Sequence, residues 1–253
     1  MDPLQVLPAG QTLESIGQWS MFWRPAYLEM SGWLEHIPFA FWLMEAHRPR
    51  VLVELGTHYG VSYFAFCQAV ETLGLDTRCY AVDTWKGDAQ SGLYDESVFD
   101  KVRSHSDARY SGFSELVRST FDEAQGYFPE GAIDLLHMDG CHTYDAVRHD
   151  FETWLPRLSR RAVVLIHDTN VRERQFGAYE YFDSLRGKYP TFEFVHGHGL
   201  GVVAVGPERS ELLGRLLDGS GNALFGQAVR EVFTPLGRAW ACGYASDQSR
   251  NRR

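Results

Sequence analysis

Short apolar runs alternate along this chain with longer stretches of mixed character. Arg50–Leu55 (RVLVEL), Cys79–Asp83 (CYAVD), Ala132–Asp139 (AIDLLHMD) and Ala162–Asp168 (AVVLIHD) are apolar at most positions. Runs this short and this continuous predict strands buried on both faces, as in a parallel sheet. Between and beyond them, Val61–Leu73, Glu96–His105, Ser114–Ala124, Tyr144–Leu158 and Tyr179–Tyr189 read as helices. Thr191–His196 and Gly201–Val205 then read as two strands joined by His196-Gly197-His198-Gly199, with no helix between them. A connection that short requires antiparallel strands. Ahead of the first strand, the aromatic stretch Trp33–Ala46 (WLEHIPFAFWLMEA) reads as one or two helices about Pro38. Strands alternating with helices predict a doubly wound α/β fold with helices on both faces of a mostly parallel sheet, closed by an antiparallel hairpin. The expected organisation is one domain: an N-terminal helical cap at 1–48, a core at 49–206, and a helical extension at 207–253 ending in a short disordered tail, SDQSRNRR.

The 253 residues suffice to bury a core without metals or disulfides as staples. The formal charge of -9 disfavours a nucleic-acid partner, because the chain repels a phosphate backbone unless it gathers a basic patch. One tight basic cluster, Arg157, Arg160 and Arg161, falls at a predicted helix end, where cations complement the helix dipole. Cys67, Cys79, Cys141 and Cys242 form no CxxC pair, which argues against a zinc knuckle and fits a reducing cytoplasm. Cys67 and Cys79 sit among apolar neighbours and are expected in the core. No basic segment followed by an apolar run opens the chain, and no window approaches the ~20 apolar residues that span a bilayer. The expectation is a cytoplasmic protein.

Glu54-Leu55-Gly56-Thr57-His58-Tyr59-Gly60 follows a predicted strand and opens a predicted helix. Gly56 permits a tight turn, and Gly60 lets the helix approach the ligand and the sheet. Tyr59 lies between them. The spacing ExGxxxG departs from the GxGxxG of dinucleotide folds and favours a ligand without a pyrophosphate. Glu54 is expected beside a ligand ammonium or an ordered water. Asp83, at the end of the second strand, is placed to accept ribose hydroxyls of a nucleoside, and Trp85 to stack on adenine. Ser114 is a candidate lining residue of the adenine pocket. The structural alternatives are a plain strand-turn-helix junction, with Asp83 a loop cap and Trp85 in the core.

Asp139-Gly140-Cys141-His142 follows one strand and His167-Asp168-Thr169-Asn170 the next. Open α/β sheets bind ligands at this carboxyl edge. Asp139, Asp168, His142 and His167 are the candidate ligands of a divalent cation; two carboxylates suit magnesium or manganese, and the histidines shift the preference toward other transition metals. A cation here would grip a substrate diol and acidify one hydroxyl, with His142 or His167 removing the proton and Asp139 part of the same catalytic set. Asp168 as a loop cap, His142 as a helix cap and His167 as a buried imidazole bonded to backbone are the alternatives. His137 is expected to be structural and turned away from Asp139. His196 and His198 are expected to be turn residues.

The stretches WLEHIPFAFWL, VELGTHYGVSYFAFC, CYAVDTWKGD, IDLLHMDGCHTYDAVRHDFETW, VVLIHDTNVRERQFG and HGHGLGVVAVG resemble bacterial class I methyltransferases fused to, or encoded beside, glycosyltransferases for cell-surface polysaccharides. The resemblance covers roughly residues 25–206. It implies a Rossmann-like seven-stranded sheet and S-adenosylmethionine held by the Glu54–Gly60 loop and Asp83. More distantly the chain looks like metal-dependent O-methyltransferases of macrolide and aminocoumarin sugars. There the aspartate matching Asp139 and an acidic pair matching His167-Asp168 hold magnesium, and an aspartate matching Cys141 is the base. This chain departs at His167 and Cys141, which makes His142 the nearest replacement, as base or as third ligand. A free thiol, with a pKa of about 8.5, would itself be methylated.

The expected function is therefore O-methylation of a sugar hydroxyl on a cell-surface glycan or glycosylated metabolite, metal-assisted, with a glycosyltransferase as partner. A dinucleotide-dependent oxidoreductase and a non-catalytic module partnering a glycosyltransferase are the alternatives. Association into a homo-oligomer is left open.

Overall fold

The computed structural model describes residues 16–88, 92–173 and 175–251. Residues 1–15 of the expected cap and the last two of the tail lie outside them. Its sheet has seven strands: β1 (Val51–Leu55), β2 (Arg78–Asp83), β3 (Ser114–Arg118), β4 (Ile133–Met138), β5 (Leu158–His167), β6 (Thr191–Phe194) and β7 (Leu200–Ala204). The spatial order is β3-β2-β1-β4-β5-β7-β6. The first five are mutually parallel, while β7 runs antiparallel to both β5 and β6. The chain leaves β1 toward β2 and β3, then returns to β4 on the other side. The crevice of such a sheet opens at that reversal, outside the carboxyl ends of β1 and β4.

The helices are α1 (Ile37–His47), α2 (Val61–Leu73), α3 (Glu96–Arg109), α4 (Phe121–Ala124), α5 (Tyr144–Trp154), α6 (Ala178–Leu185), α7 (Glu211–Asp218) and α8 (Ala223–Asn251). Strand residues alternate between two apolar layers. Leu52, Leu135, Val163 and Leu165 join α1, α2, α3, α7 and α8 on one face. Val53, Leu136, Val164 and Ile166 join α4, α5 and α6 on the other. The α1 helix shows no amphipathic stripe because its surroundings are apolar all round: ten of its eleven residues are buried, all but Glu45. Pro38 stands in its first turn, where the missing N–H costs nothing. Rings from α8 close the far side, with Phe233 5.7 Å from Phe39 and 6.3 Å from Trp42. The expected boundaries fall between α1 and β1 and between β7 and α7.

Three local expectations are corrected. Ser114–Ala124 is not one helix. It is β3 followed by the single turn α4, which Thr120 opens by accepting a hydrogen bond from the Glu123 N–H. The α5 helix stops at Trp154, before Pro156, and Arg160 and Arg161 lie in β5 rather than at a helix end. There Arg160 pairs with Glu208, and Arg161 donates to the His47 carbonyl. The stretch expected to be a disordered tail is helical as far as Asn251. Among the described residues, no helix is long and apolar enough to cross a membrane.

Candidate active site

Gly56 leaves β1 with φ +87°, and a Cβ on it would lie 2.2 Å from the Asp139 carbonyl oxygen. Only glycine fits, so the ends of β1 and β4 stand in backbone contact. Gly60, at φ +82°, opens α2. The loop between them is fastened to β2 by Asp83. One carboxylate oxygen accepts from the Thr57 and His58 amides at 2.8 and 2.9 Å, and the other from the Trp85 amide at 2.7 Å. Asp83 thus builds the loop as well as standing at its edge. Tyr59 is partly buried; its carbonyl accepts from the Tyr27 hydroxyl at 2.9 Å, and the Lys101 ammonium lies 5.6 Å from its ring. Trp85 is 1% exposed, with its indole N–H on the His58 carbonyl and its ring against Phe99. That is a core position, not a free stacking surface.

Two cofactor expectations are corrected by strand geometry. Ser114 pairs in register with Cys79 at the start of β2, whereas Asp83 ends that strand beside Arg118. Ser114 therefore lies at the amino edge, some 13 Å from the ligand edge at ~3.3 Å per residue, bonded to Tyr63 and Ser106. Ser119, which follows β3 and donates its amide to the Asp83 carbonyl, holds the edge position instead. Glu54 is fully buried and faces the histidine beside it in register on β4, His137. His137 Nδ1 lies 2.8 Å from Glu54 Oε2, and the Trp33 indole donates to His137 Nε2 at 3.0 Å. An indole can only donate, so the ring proton sits on Nδ1, facing Glu54. Burial raises the Glu54 pKa. The pair is structural, as expected of His137. Residues two apart on a strand share a face, however, so His137 points to the same side as Asp139 and not away from it.

Asp139, His142 and Asp168 converge at the carboxyl edge, with one potential donor atom from each within 4.8 Å of the others. His142 Nε2 lies 3.1 Å from Asp168 Oδ2 and 3.7 Å from Asp139 Oδ1. Thr143 caps α5 and so sets His142 just ahead of the helix. The imidazole lies parallel to the Phe176 ring at 5.2 Å, and the His142 carbonyl accepts from the Gly177 and Ala178 amides. Asp168 has φ +60°, a left-handed conformation uncommon outside glycine and typical of functional loops. His167 is not a member of the trio. Its Nδ1 donates to Asp139 Oδ1 at 2.9 Å and so orients that carboxylate.

Burial opposes a charge on His167, yet the Asp139 and Asp168 carboxylates outweigh it and its pKa is pushed up to about 9. Burial likewise opposes charge on the two acids, and the imidazoles around them, His167 foremost, hold both below the usual carboxylate range. At neutral pH the site therefore holds two carboxylates against one buried imidazolium. His167 already carries its proton and has no lone pair with which to act as a resting base.

Two contributors escaped sequence reasoning. His198 lies in the expected turn, and its Nδ1 stands 3.3 Å from Asp168 Oδ1. The flanking glycines were the available signal, since Gly-His-Gly holds a polar ring at a strained tip. Phe176 supports His142 from an otherwise polar loop, and nothing in its sequence context marks it. Cys141 lies beside the trio with Sγ 4.0 Å from Thr143 Oγ1.

A family model described as a methyltransferase domain matches residues 53–169. A Sinorhizobium fredii protein, y4gI, is 50% identical over 186 residues, which make up 74% of this chain. The chain spans about a fifth of that relative's length. Among solved structures, a Staphylococcus aureus protein provisionally assigned as a caffeoyl-CoA O-methyltransferase superposes with TM-score 0.54 at 14% identity, covering 70% of this chain and 84% of that one. TomG of Streptomyces achromogenes, an O-methyltransferase of tomaymycin synthesis solved with S-adenosylmethionine, gives 0.51 at 14% identity over 72% and 83%. The S-adenosylhomocysteine-bound methyltransferase PaMTH1 of Podospora anserina gives 0.51 at 12% identity over 67% and 77%. These likenesses establish the fold.

Proposed function

We propose that residues 53–169, which match a family model described as a methyltransferase domain and lie in a sheet of the class I order, belong to an O-methyltransferase that uses S-adenosylmethionine to methylate a hydroxyl of a sugar-containing acceptor with help from a divalent cation. One observation carries the reading. The glycine loop and the acid-histidine trio are not separate features: Gly56 and Asp139 touch through their backbones. A donor held by the loop and an acceptor held by the trio would meet across that contact.

S-adenosylmethionine supplies an electrophilic methyl group, which a neutral sugar hydroxyl attacks poorly. The Gly56–Gly60 loop, with its amides drawn toward β2 by Asp83, is the cradle for it. Asp139, His142 and Asp168 would hold the cation, which supplies Lewis acidity toward a substrate oxygen. Their donor set fits. Two carboxylates and an imidazole nitrogen converge there, and no well-formed hydrogen bond reaches Asp168 Oδ1. His167 keeps Asp139 ionised and aimed. His142 Nε2 serves the acceptor side as the third donor to the cation or, without it, as the base that takes the hydroxyl proton. Those two uses of one nitrogen exclude each other. Asp168 at 3.1 Å stabilises the imidazolium formed in the second.

The sugar acceptor and an associated glycosyltransferase are part of the proposal. They rest on the HxDGxHTYDxVxxDF and HDTNV blocks and on the greater length of the Sinorhizobium relative. The test is calorimetry with S-adenosylhomocysteine and NAD, followed by methyl transfer from labelled S-adenosylmethionine to sugar acceptors with and without chelator. Binding of NAD and not S-adenosylhomocysteine would overturn the reading in favour of an oxidoreductase. Loss of turnover in chelator assigns His142 as ligand, and full turnover assigns it as base.

A further inference from the structure

We propose that the cation site prefers a nitrogen-seeking transition-metal ion to magnesium, and that His198 is its second nitrogen ligand beside His142. The proposal rests on the metal-assisted reading above, and within it on His142 as a ligand.

Magnesium takes oxygen ligands in near-octahedral geometry, whereas imidazole suits zinc, iron and nickel. Here nitrogen is built into the site. His142 Nε2 stands between the two carboxylates, and its ring is fixed by the Phe176 face and by the two amides on its carbonyl. His167 stands outside the trio whose donor atoms converge, and its Nδ1 orients Asp139.

His198 approaches from the opposite side of Asp168, on the connection between β6 and β7. Gly197, His198 and Gly199 have φ of +53°, +72° and +93°, three left-handed residues in succession. A Cβ on Gly199 would lie 2.4 Å from the Asn170 amide nitrogen, and one on Gly197 2.8 Å from Glu35 Cβ. The His198 carbonyl accepts from that same Asn170 amide at 2.7 Å. The tip is thus fastened two residues beyond Asp168, at the cost of a strained non-glycine residue at its centre. Across the cleft a Cβ on Gly32 would come within 2.9 Å of His198 Nδ1, so the room for this ring depends on a glycine. Asp168 is 6% exposed. Its Oδ1 has two imidazole nitrogens near it, His198 at 3.3 Å and His167 at 3.5 Å, neither in hydrogen-bond geometry. A buried carboxylate oxygen without a well-formed hydrogen bond and an imidazole nitrogen 3.3 Å from it are two donors placed for one ion. The His198 side chain is 61% exposed, which leaves its ring free to turn onto an ion between it and Asp168.

The experiment uses metal-stripped protein titrated calorimetrically with magnesium, manganese and zinc, and the manganese-loaded protein examined by pulsed electron paramagnetic resonance for imidazole nitrogen couplings. Zinc and manganese should bind more tightly than magnesium, and two nitrogen couplings should appear. His198→Gly should remove one coupling and weaken zinc binding by at least the ~10–100-fold that loss of a supporting group costs. Glycine accepts the left-handed backbone, so this variant should melt no lower than the parent. His142→Ala should remove the other coupling. A single coupling in the parent, two in His198→Gly, or magnesium bound as tightly as manganese overturns the proposal. S-adenosylhomocysteine titrated into the same samples separates the readings. Its binding without transition-metal binding overturns this inference and leaves methyl transfer standing. A two-nitrogen metal site without its binding does the reverse.

Discussion

The Asp139–His167 pair should make this protein's stability depend on pH in a window that few other groups occupy. His167 titrates at 6.5 in an unstructured chain and at about 9 in the fold. A raised folded-state pKa means that folding is favoured by the bound proton. The stabilisation is complete below pH 6.5 and disappears as pH rises through about 9. At 1.36 kcal/mol for each tenfold change in proton affinity, the distance from 6.5 to about 9 corresponds to roughly 3 kcal/mol. That is a sizeable part of the ~5–15 kcal/mol that holds a domain together. In melting temperature it amounts to roughly 6–12 °C for a chain of this size. The acid limb belongs to the same pair. The lowered pKa of Asp139 gives stability that is present above the usual carboxylate value of 3.8 and is lost as pH falls below it. The two limbs describe one interaction and are not summed. The perturbation is His167→Gln, and the assay is urea unfolding in chelator across pH 6.5 to about 9. The parent should lose stability over this range and the variant should not. Equal slopes for the two proteins would refute the assignment of the buried charge to His167.

His142→Ala should lower methyl-transfer turnover by about 10²–10⁴-fold while leaving S-adenosylhomocysteine affinity within error; a parallel fall in affinity would place His142 on the donor side. Gly56→Ala should destabilise by roughly 2–5 kcal/mol, from the collision with Asp139 and the left-handed backbone together. Gly74→Ala is the comparison, because its φ is +59° with nothing within 4 Å of a Cβ; its cost should be only ~1–2 kcal/mol in the same urea assay. Asp83→Asn sets an NH2 group against backbone amides that now donate to a carboxylate, so urea unfolding should show a loss of about 1.5–3 kcal/mol for each charge-assisted bond lost, and calorimetry should show weaker S-adenosylhomocysteine binding.

Six of the seven strands were legible because buried parallel strands are short, apolar and bounded by loops carrying acids and glycines. β3 was not. Ser114–Arg118 (SELVR) is an edge strand with only partial burial, so its polar half hid the period of two, and the polar residues that follow extended an apparent helix. Thr120-Phe121-Asp122-Glu123, a Thr-x-x-Glu helix start, was the missed signal. Missing that strand moved Ser114 to the wrong edge of the sheet. At the site, the acids and His142 could be found because they directly follow strands. The partners of each could not be found, since the Trp33–His137 and Asp139–His167 bonds join residues separated by 104 and 28 positions. Periodicity also cannot show that Asp83 spends its oxygens on the loop, or that a hairpin tip bends back over Asp168.

The burial of α1 on every side bears on the order in which this chain can be assembled. Trp42 leaves the ribosome 191 residues before Phe233, the ring that closes over it. At ~5–20 residues per second, the apolar helix waits roughly 10–40 s before its last wall exists. Collapse of an exposed apolar segment takes well under a millisecond. During synthesis α1 therefore needs a temporary cover, either the growing sheet or a chaperone. A ribosome stalled just before α8 should display it to proteases and to apolar dyes.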